Sequence, residues 1–291
     1  MRRLKGILLM AIMAVLTTIP ATEVAAQRPW TREVYREIDL RDHANMGLYS
    51  PARKQQGKEG LFEAIINLPI KEGTTIYAYA IGGNELLSEE GKVRITDVLD
   101  AYAIPYQTDS VSGQLLIKET DIPKEEVIRY YIRERHYYDA VTSEFKKEVV
   151  ALCPVLERGD GLSGAATRYP MFWIRYQDAR KALSDIKVVT DYHNTAAVIS
   201  AADYFDLSLY KGDIYMERNA MGNALAYDTP TDSAMVAERQ RVERELKTVK
   251  DVTYDTFHGQ PMETRQQTHY RRFLFLRFKD KDTSMRETDN K

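Results

Sequence analysis

The chain has 291 residues, of which 44% are hydrophobic, 29% charged and 10% aromatic. That is the make-up of a folded globular protein, and it excludes collagen-like and disordered chains. A formal charge of −2 lacks the basic surplus that a dedicated nucleic-acid binder needs, and a single cysteine, Cys153, excludes an intramolecular disulfide and the cysteine-rich zinc sites.

Arg2, Arg3 and Lys5 precede an apolar run from Ile7 to Leu16, and Val24-Ala25-Ala26 follows. This is the order of a secretory signal peptide, with cleavage expected between Ala26 and Gln27. The run is shorter than the roughly 20 apolar residues of a membrane span. No cysteine follows the cleavage point, so no lipid anchor is expected there. The mature chain is expected to be soluble and exported, in a bacterium to the periplasm or beyond. The remaining sequence divides into an arm and linker over 27–58, an α+β core over 59–228, and a C-terminal part over 229–291.

The arm carries Trp30, Tyr35, Ile38, Leu40, Leu48 and Tyr49, and a polar stretch over 52–59 follows it. Leu61, Phe62, Ile65 and Ile66 share one helical stripe, and Pro69 and Gly73 end that helix. Thr74 to Ala80 reads as a strand. Thr96 is a candidate N-cap for a helix bearing Val98, Leu99 and Tyr102. The strongest pattern is the alternation of Ile128, Tyr130, Ile132, His136 and Tyr138 with Arg129, Tyr131, Arg133, Arg135 and Tyr137, a long strand with one charged face. A second strand over 145–155 and a third over 170–176 complete an expected antiparallel β-meander, about residues 126–177, covered by short helices. A strand is expected over 186–189. Ser200 and Asp203 form a capping box that opens a helix through Tyr204, Phe205 and Leu209. Asp232 to Lys250 is a charged helix with the stripe Met235, Val236, Val242, Leu246 and Val249. A final strand over 270–278 and a charged tail close the chain.

Several strings spell chemistry without its context. Gly159-Asp160-Gly161-Leu162-Ser163-Gly164 matches the dinucleotide pattern, but it joins two antiparallel strands instead of opening a helix. Ser143 and Ser184 each begin an S-x-x-K string, without the S-D-N and K-T-G elements that accompany it in penicillin-recognising enzymes. The five histidines make no zinc motif, and His136 reads as a half-buried packing residue. Asp191 and His193 read as turn residues, and Cys153 as a buried small hydrophobe in an apolar run. The basic-aromatic stretch with Arg271, Arg272 and Arg277 reads as an edge strand kept soluble by arginine, or else as a dock for anionic lipid or a partner. No catalytic residue, cofactor or metal site is assigned.

Three pieces in order carry a family resemblance. They are Tyr35-Arg36-Glu37-Ile38-Asp39-Leu40-Arg41-Asp42 with Asn45, Leu48, Tyr49 and Pro51; Tyr131-Ile132-Arg133-Glu134 to Tyr138-Asp139, then Leu152-Cys153-Pro154; and Tyr169-Pro170-Met171-Phe172-Trp173-Ile174 with Tyr176, Ala179 and Arg180. Over about residues 30–225 the chain resembles the gliding-motility protein N family (GldN/PorN) of the type IX secretion system. His136 departs from a tryptophan common in that family. The resemblance implies a non-enzymatic periplasmic protein. It would form a large ring with neighbouring copies and an outer-membrane lipoprotein of the PorK/GldK type, and would touch the inner-membrane motor component M (PorM/GldM type). Two other readings are a stand-alone periplasmic hydrolase using Asp191 and His193, and a monomeric ligand-binding module. Within the ring reading, the apolar arm residues Trp30, Tyr35, Ile38, Leu40, Leu48 and Tyr49 are the candidates for anchoring the lipoprotein or a ring neighbour.

Overall fold

The computed structural model describes residues 30–49, 60–81, 86–139, 141–142, 144–159, 166–190, 198–218 and 232–256. The signal peptide, the linker over 52–59, Asp191, His193 and the strand expected over 270–278 lie outside the described residues. The first elements are β1 (Thr31–Asp39), α1 (Leu61–Asn67), β2 (Ile76–Tyr77), β3 (Lys92–Val93) and α2 (Ile95–Ala101). A small hairpin, β4 (Gln107–Thr108) and β5 (Leu115–Leu116), leads to the long strands β6 (Val127–Asp139) and β7 (Glu144–Gly159). Then come β8 (Ala166–Pro170), β9 (Trp173–Arg175), α3 (Tyr176–Asp185), β10 (Lys187–Val189), β11 (Val198–Ser200), α4 (Ala201–Asp206), β12 (Asp213–Arg218) and α5 (Asp232–Thr256).

The architecture is mixed α+β around an antiparallel sheet in the order β12-β1-β6-β7-β9-β2-β3, with β8 beside β7. β6 and β7 pair along almost their whole lengths, with a bulge between Arg133 and Glu134. The N-terminal segment is corrected from an arm to a strand. Thr31 to Asp39 pair with Tyr137 to Arg129 of β6 on one side, and β12 pairs on the other. The expected third strand is broken at Met171 and Phe172. β8 takes the far end of β7 and β9 takes its middle, so β6 to β9 form only part of a wider sheet.

Alternation divides the sheet residues between two faces. On one face Ile38, Tyr130, Ile132, Leu152 and Ile174 join Leu61 and Ile65 of α1, Leu183 of α3 and Phe205 of α4 in one buried cluster. The helices fall where their apolar stripes demand cover. α1 ends through a five-residue π-turn, Leu68–Glu72, which Gly73 closes at φ +67°, a conformation open to glycine. α4 begins as expected: the Asp203 amide donates to Ser200 Oγ at 3.0 Å. It stops at Asp206, before Leu209. α3 was not expected, because Tyr176 reads as the end of a strand. Its buried residues Tyr176, Ala179 and Leu183 recur at i, i+3 and i+7. α5 has the expected charge, but of its expected stripe Val236 is about half exposed while Val242 and Val249 are buried. No helix among the described residues is long and apolar enough to cross a membrane.

Candidate functional site

The chemistry of this chain is concentrated on charged groups that its sheet brings inward. On the helix-covered face, next to the apolar cluster, Glu134 is fully buried. Its Oε1 accepts from Arg36 Nε at 3.0 Å and lies 2.9 Å from Lys147 Nζ, while Oε2 is 3.1 Å from His136 Nε2. The register explains the assembly. Val34 stands opposite Glu134, and Lys147 opposite His136, so Arg36, Glu134, His136 and Lys147 share one face. Burial alone would raise the Glu134 carboxyl. The His136 hydrogen bond and the charges of Arg36 and Lys147 outweigh it and hold the group well below the usual range. For Lys147 burial is the stronger influence, and it lowers the ammonium even beside Glu134. His136 is therefore part of an ionic cluster, not an aromatic packing residue as the sequence suggests.

This cluster continues into α5. Arg36 Nη1 donates to Glu243 Oε1 at 2.5 Å and to the Gly212 carbonyl at 2.7 Å. Arg32 binds Glu217 and also Glu245, the latter at 2.7 Å. The apolar part of the contact is small: Val242 and Leu246 against Val34 and Ile214. Among the described residues the helix thus meets the sheet through these ion pairs beside a small apolar contact.

The opposite face is a layer of tyrosine and arginine. Tyr35 meets Trp173 edge-on, with ring centroids 5.9 Å apart, and Tyr131 lies 4.5 Å from Tyr215. The Arg133 guanidinium sits 5.7 Å over Tyr35, and Arg175 sits 5.1 Å over Tyr77. Arg129 joins Glu37, Asp39 and Glu157, while Arg133 and Arg135 both reach Glu33. Where β9 gives way to α3, this face opens into a cleft of about 720 Å³ that wraps around β7. Arg133, Arg135, Lys147, Arg175, Arg180 and Arg218 line it, against the acids Glu148 and Asp206. Such a surface suits an anionic partner better than an apolar one.

The structure separates the arm residues by role. Tyr35 and Ile38 are fully buried, and Leu40 and Leu48 nearly so, all within the chain's own core. Tyr35 and Ile38 of β1 fill the two faces of its own sheet, and Leu40 and Leu48, which follow it, join the main cluster, so these four side chains are spent within the chain. Tyr49 is half-buried against the main cluster, and Trp30 is half-buried. Cys153 is fully buried, and its thiol donates to the Pro154 carbonyl at 3.6 Å. Gly159 ends β7 and Ala166 begins β8, an antiparallel pair, so the dinucleotide-like string bridges a hairpin. Among the described residues no group of three histidine, cysteine or carboxylate side chains could hold a metal ion. The sequence reading missed Arg36 and Glu134, although Arg36 lies between Val34 and Ile38 at the strand period, which is the signal for an inward arginine.

Fold and site together define a mixed α+β protein whose distinctive features are ion-paired faces. The chain belongs to the family described as gliding motility associated protein GldN, whose model matches residues 25–255. Among curated proteins no match to the chain is found. Membership suggests a component of a bacterial gliding and secretion system.

Proposed function

We propose that the chain is a periplasmic structural component of the type IX secretion system. It assembles with an outer-membrane lipoprotein of the PorK/GldK type and with neighbouring copies into a large ring needed for secretion and gliding. It also meets the inner-membrane motor component of the PorM/GldM type. The observation that carries this reading is family membership across residues 25–255. The leader-like start, ending at Ala26, supports export. Half-buried Trp30, just before β1, and Tyr49, after the turn at Met46–Leu48, are the partner-facing candidates among the six arm residues.

The test is size measurement by light scattering of the purified chain, alone and with the lipoprotein. A ring component shifts to a very large particle only when the lipoprotein is present. A chain that stays monomeric in the mixture overturns the assignment. Crosslinking of cell envelopes, with identification of the linked peptides, then assigns the faces.

A further inference from the structure

We propose that the outer edge of β7 over residues 144–150, at the mouth of the cationic cleft, takes an acidic extended segment of a partner protein as an added strand. This goes beyond the ring reading and does not depend on it.

The pairing pattern leaves that edge open. β6 covers one side of β7 throughout. On the other side β9 meets only Ala151 and Leu152, and β8 takes Val155 to Gly159. Among the described residues no strand pairs with the outer side of 144–150. The chain leaves the sheet at Arg175 to begin α3, so the sheet steps back by a whole strand at this point. At about 3.4 Å per residue the open stretch is roughly 24 Å long. That is ample for strand addition, in which backbone amides and carbonyls bind an extended peptide.

Charge selects the occupant. Of the six basic residues of the cleft, Arg133 and Arg135 already pair with Glu33, Lys147 with Glu134 and Arg180 with Asp206, which leaves the positive surplus at Arg175 and Arg218. Arg175 donates to the Leu87 carbonyl at 2.5 Å, and among the described residues no carboxylate pairs with it or with Arg218. A second copy of this edge is a poor fit. Antiparallel self-pairing of Glu144-Phe145-Lys146-Lys147-Glu148 about its centre sets Lys146 against Lys146 and Glu144 against Glu148, and like charges directly opposite destabilise a pair. The chain's own basic stretch at Arg271, Arg272 and Arg277 carries the wrong sign. β12 also has an outer edge, but it bears Asp213 and Glu217. An acidic segment instead places carboxylates beside Lys146 and Lys147 and, where β9 leaves off, Arg175. Alternate small apolar residues would meet half-buried Val150 in the cleft wall.

The test uses the full chain and a short fluorescein-labelled peptide of alternating glutamate and valine, followed by fluorescence anisotropy. Three control peptides accompany it: lysine in place of glutamate, and two isomers N-methylated on the odd or the even amides. The glutamate peptide should bind at least about tenfold more tightly than the lysine peptide. One methylated isomer should lose at least about tenfold in affinity while the other binds like the parent, because alternate amides of an added strand face the ladder. Amide exchange should slow over 144–150. Lys146→Glu should weaken binding with little change in melting temperature, since the pair it makes with Asp139 is partly exposed. Equal binding by both isomers would mean charge attraction alone and overturns strand addition. Equal binding of the lysine peptide, no binding at all, or protection at β12 instead of β7 also overturns it.

Discussion

Arg36 Nε donates to Glu134 Oε1 at 3.0 Å, joining two neighbouring strands across 98 positions of sequence. The pair lies diagonally on one face of the sheet, and Glu134 has no exposed surface. A buried carboxylate persists only where its partners replace water, and Arg36, Lys147 and His136 do so here. Removing it strands two cations beside the core. Glu134→Ala should cost about 3–5 kcal/mol in urea unfolding, the usual effect of breaking one side of a buried pair.

The same carboxyl sets an acid limit. Its pKa is lowered in the fold from the ordinary 4.5, so the folded chain binds fewer protons here than the unfolded one. The stabilisation is therefore complete above about pH 4.5 and is lost as pH falls below it. Urea midpoints measured down a pH series should fall in that window, and Glu134→Gln should flatten the fall. An unchanged slope in the variant would assign acid sensitivity to other groups.

Deleting β1 is expected to unfold the protein, not merely to detach it from a partner. Tyr35 and Ile38 are fully buried between β12 and β6. Loss of residues 31–39 should abolish cooperative thermal unfolding. The milder Ile38→Ala should cost about 2–5 kcal/mol. A deletion variant with native circular dichroism and melting behaviour would restore the idea of a detachable arm.

The docking of α5 should be sensitive to salt. Arg32–Glu245 and Arg36–Glu243 are only partly shielded, with Glu243 about half exposed. Among the described residues Val242 is the one fully buried apolar contact of the helix with β1 and β12. Amide protection along α5 should fall as ionic strength rises, while protection of β6 stays constant. Val242→Ala should produce the same local loss at low salt, with a cost of about 1–2 kcal/mol.

Tyr130 makes the opposite kind of prediction. Its hydroxyl is buried and has no hydrogen-bond partner among the described residues. Burial pushes its phenol well above 10. Replacing it with phenylalanine removes a polar atom that the core does not satisfy. Tyr130→Phe should be neutral or stabilising by about 1–2 kcal/mol in denaturant melts. A clear loss of stability would reveal a partner for the hydroxyl.

What the sequence made legible depended on how each residue is shielded. β6 and β7 were readable because the alternation from Ile128 to Tyr138 survives the one inward charge at Glu134, and the capping box at Ser200 is a local signal. β1 was not, because Arg36 and Glu37, one on each face of the sheet, look like solvent-facing charge although both are paired across it. Their partners, Glu134 and Arg129, are about a hundred residues away, and no window of local periodicity contains them. α3 was hidden by a different effect. Phe172, Ile174 and Tyr176 keep a strand period up to the helix start, and Arg175 at its N-cap makes no side-chain cap hydrogen bond. The cleft was invisible for a third reason: its arginines come from β6, β9, α3 and β12, and only the fold collects them.

The place of β1 in the sheet has a kinetic consequence. Ribosomes deliver the N-terminus first, yet this first strand has nothing to pair with until β6 appears, and its other side waits for β12. The ion pair from Arg32 to Glu217 closes a separation of 185 positions. Contacts of such high order form late and slowly, since the chain must lose loop entropy before they reward it. A nascent chain of this topology stays unfinished until nearly its last strand has emerged. If the chain is exported, as proposed above, that delay keeps it in a form a membrane channel can accept.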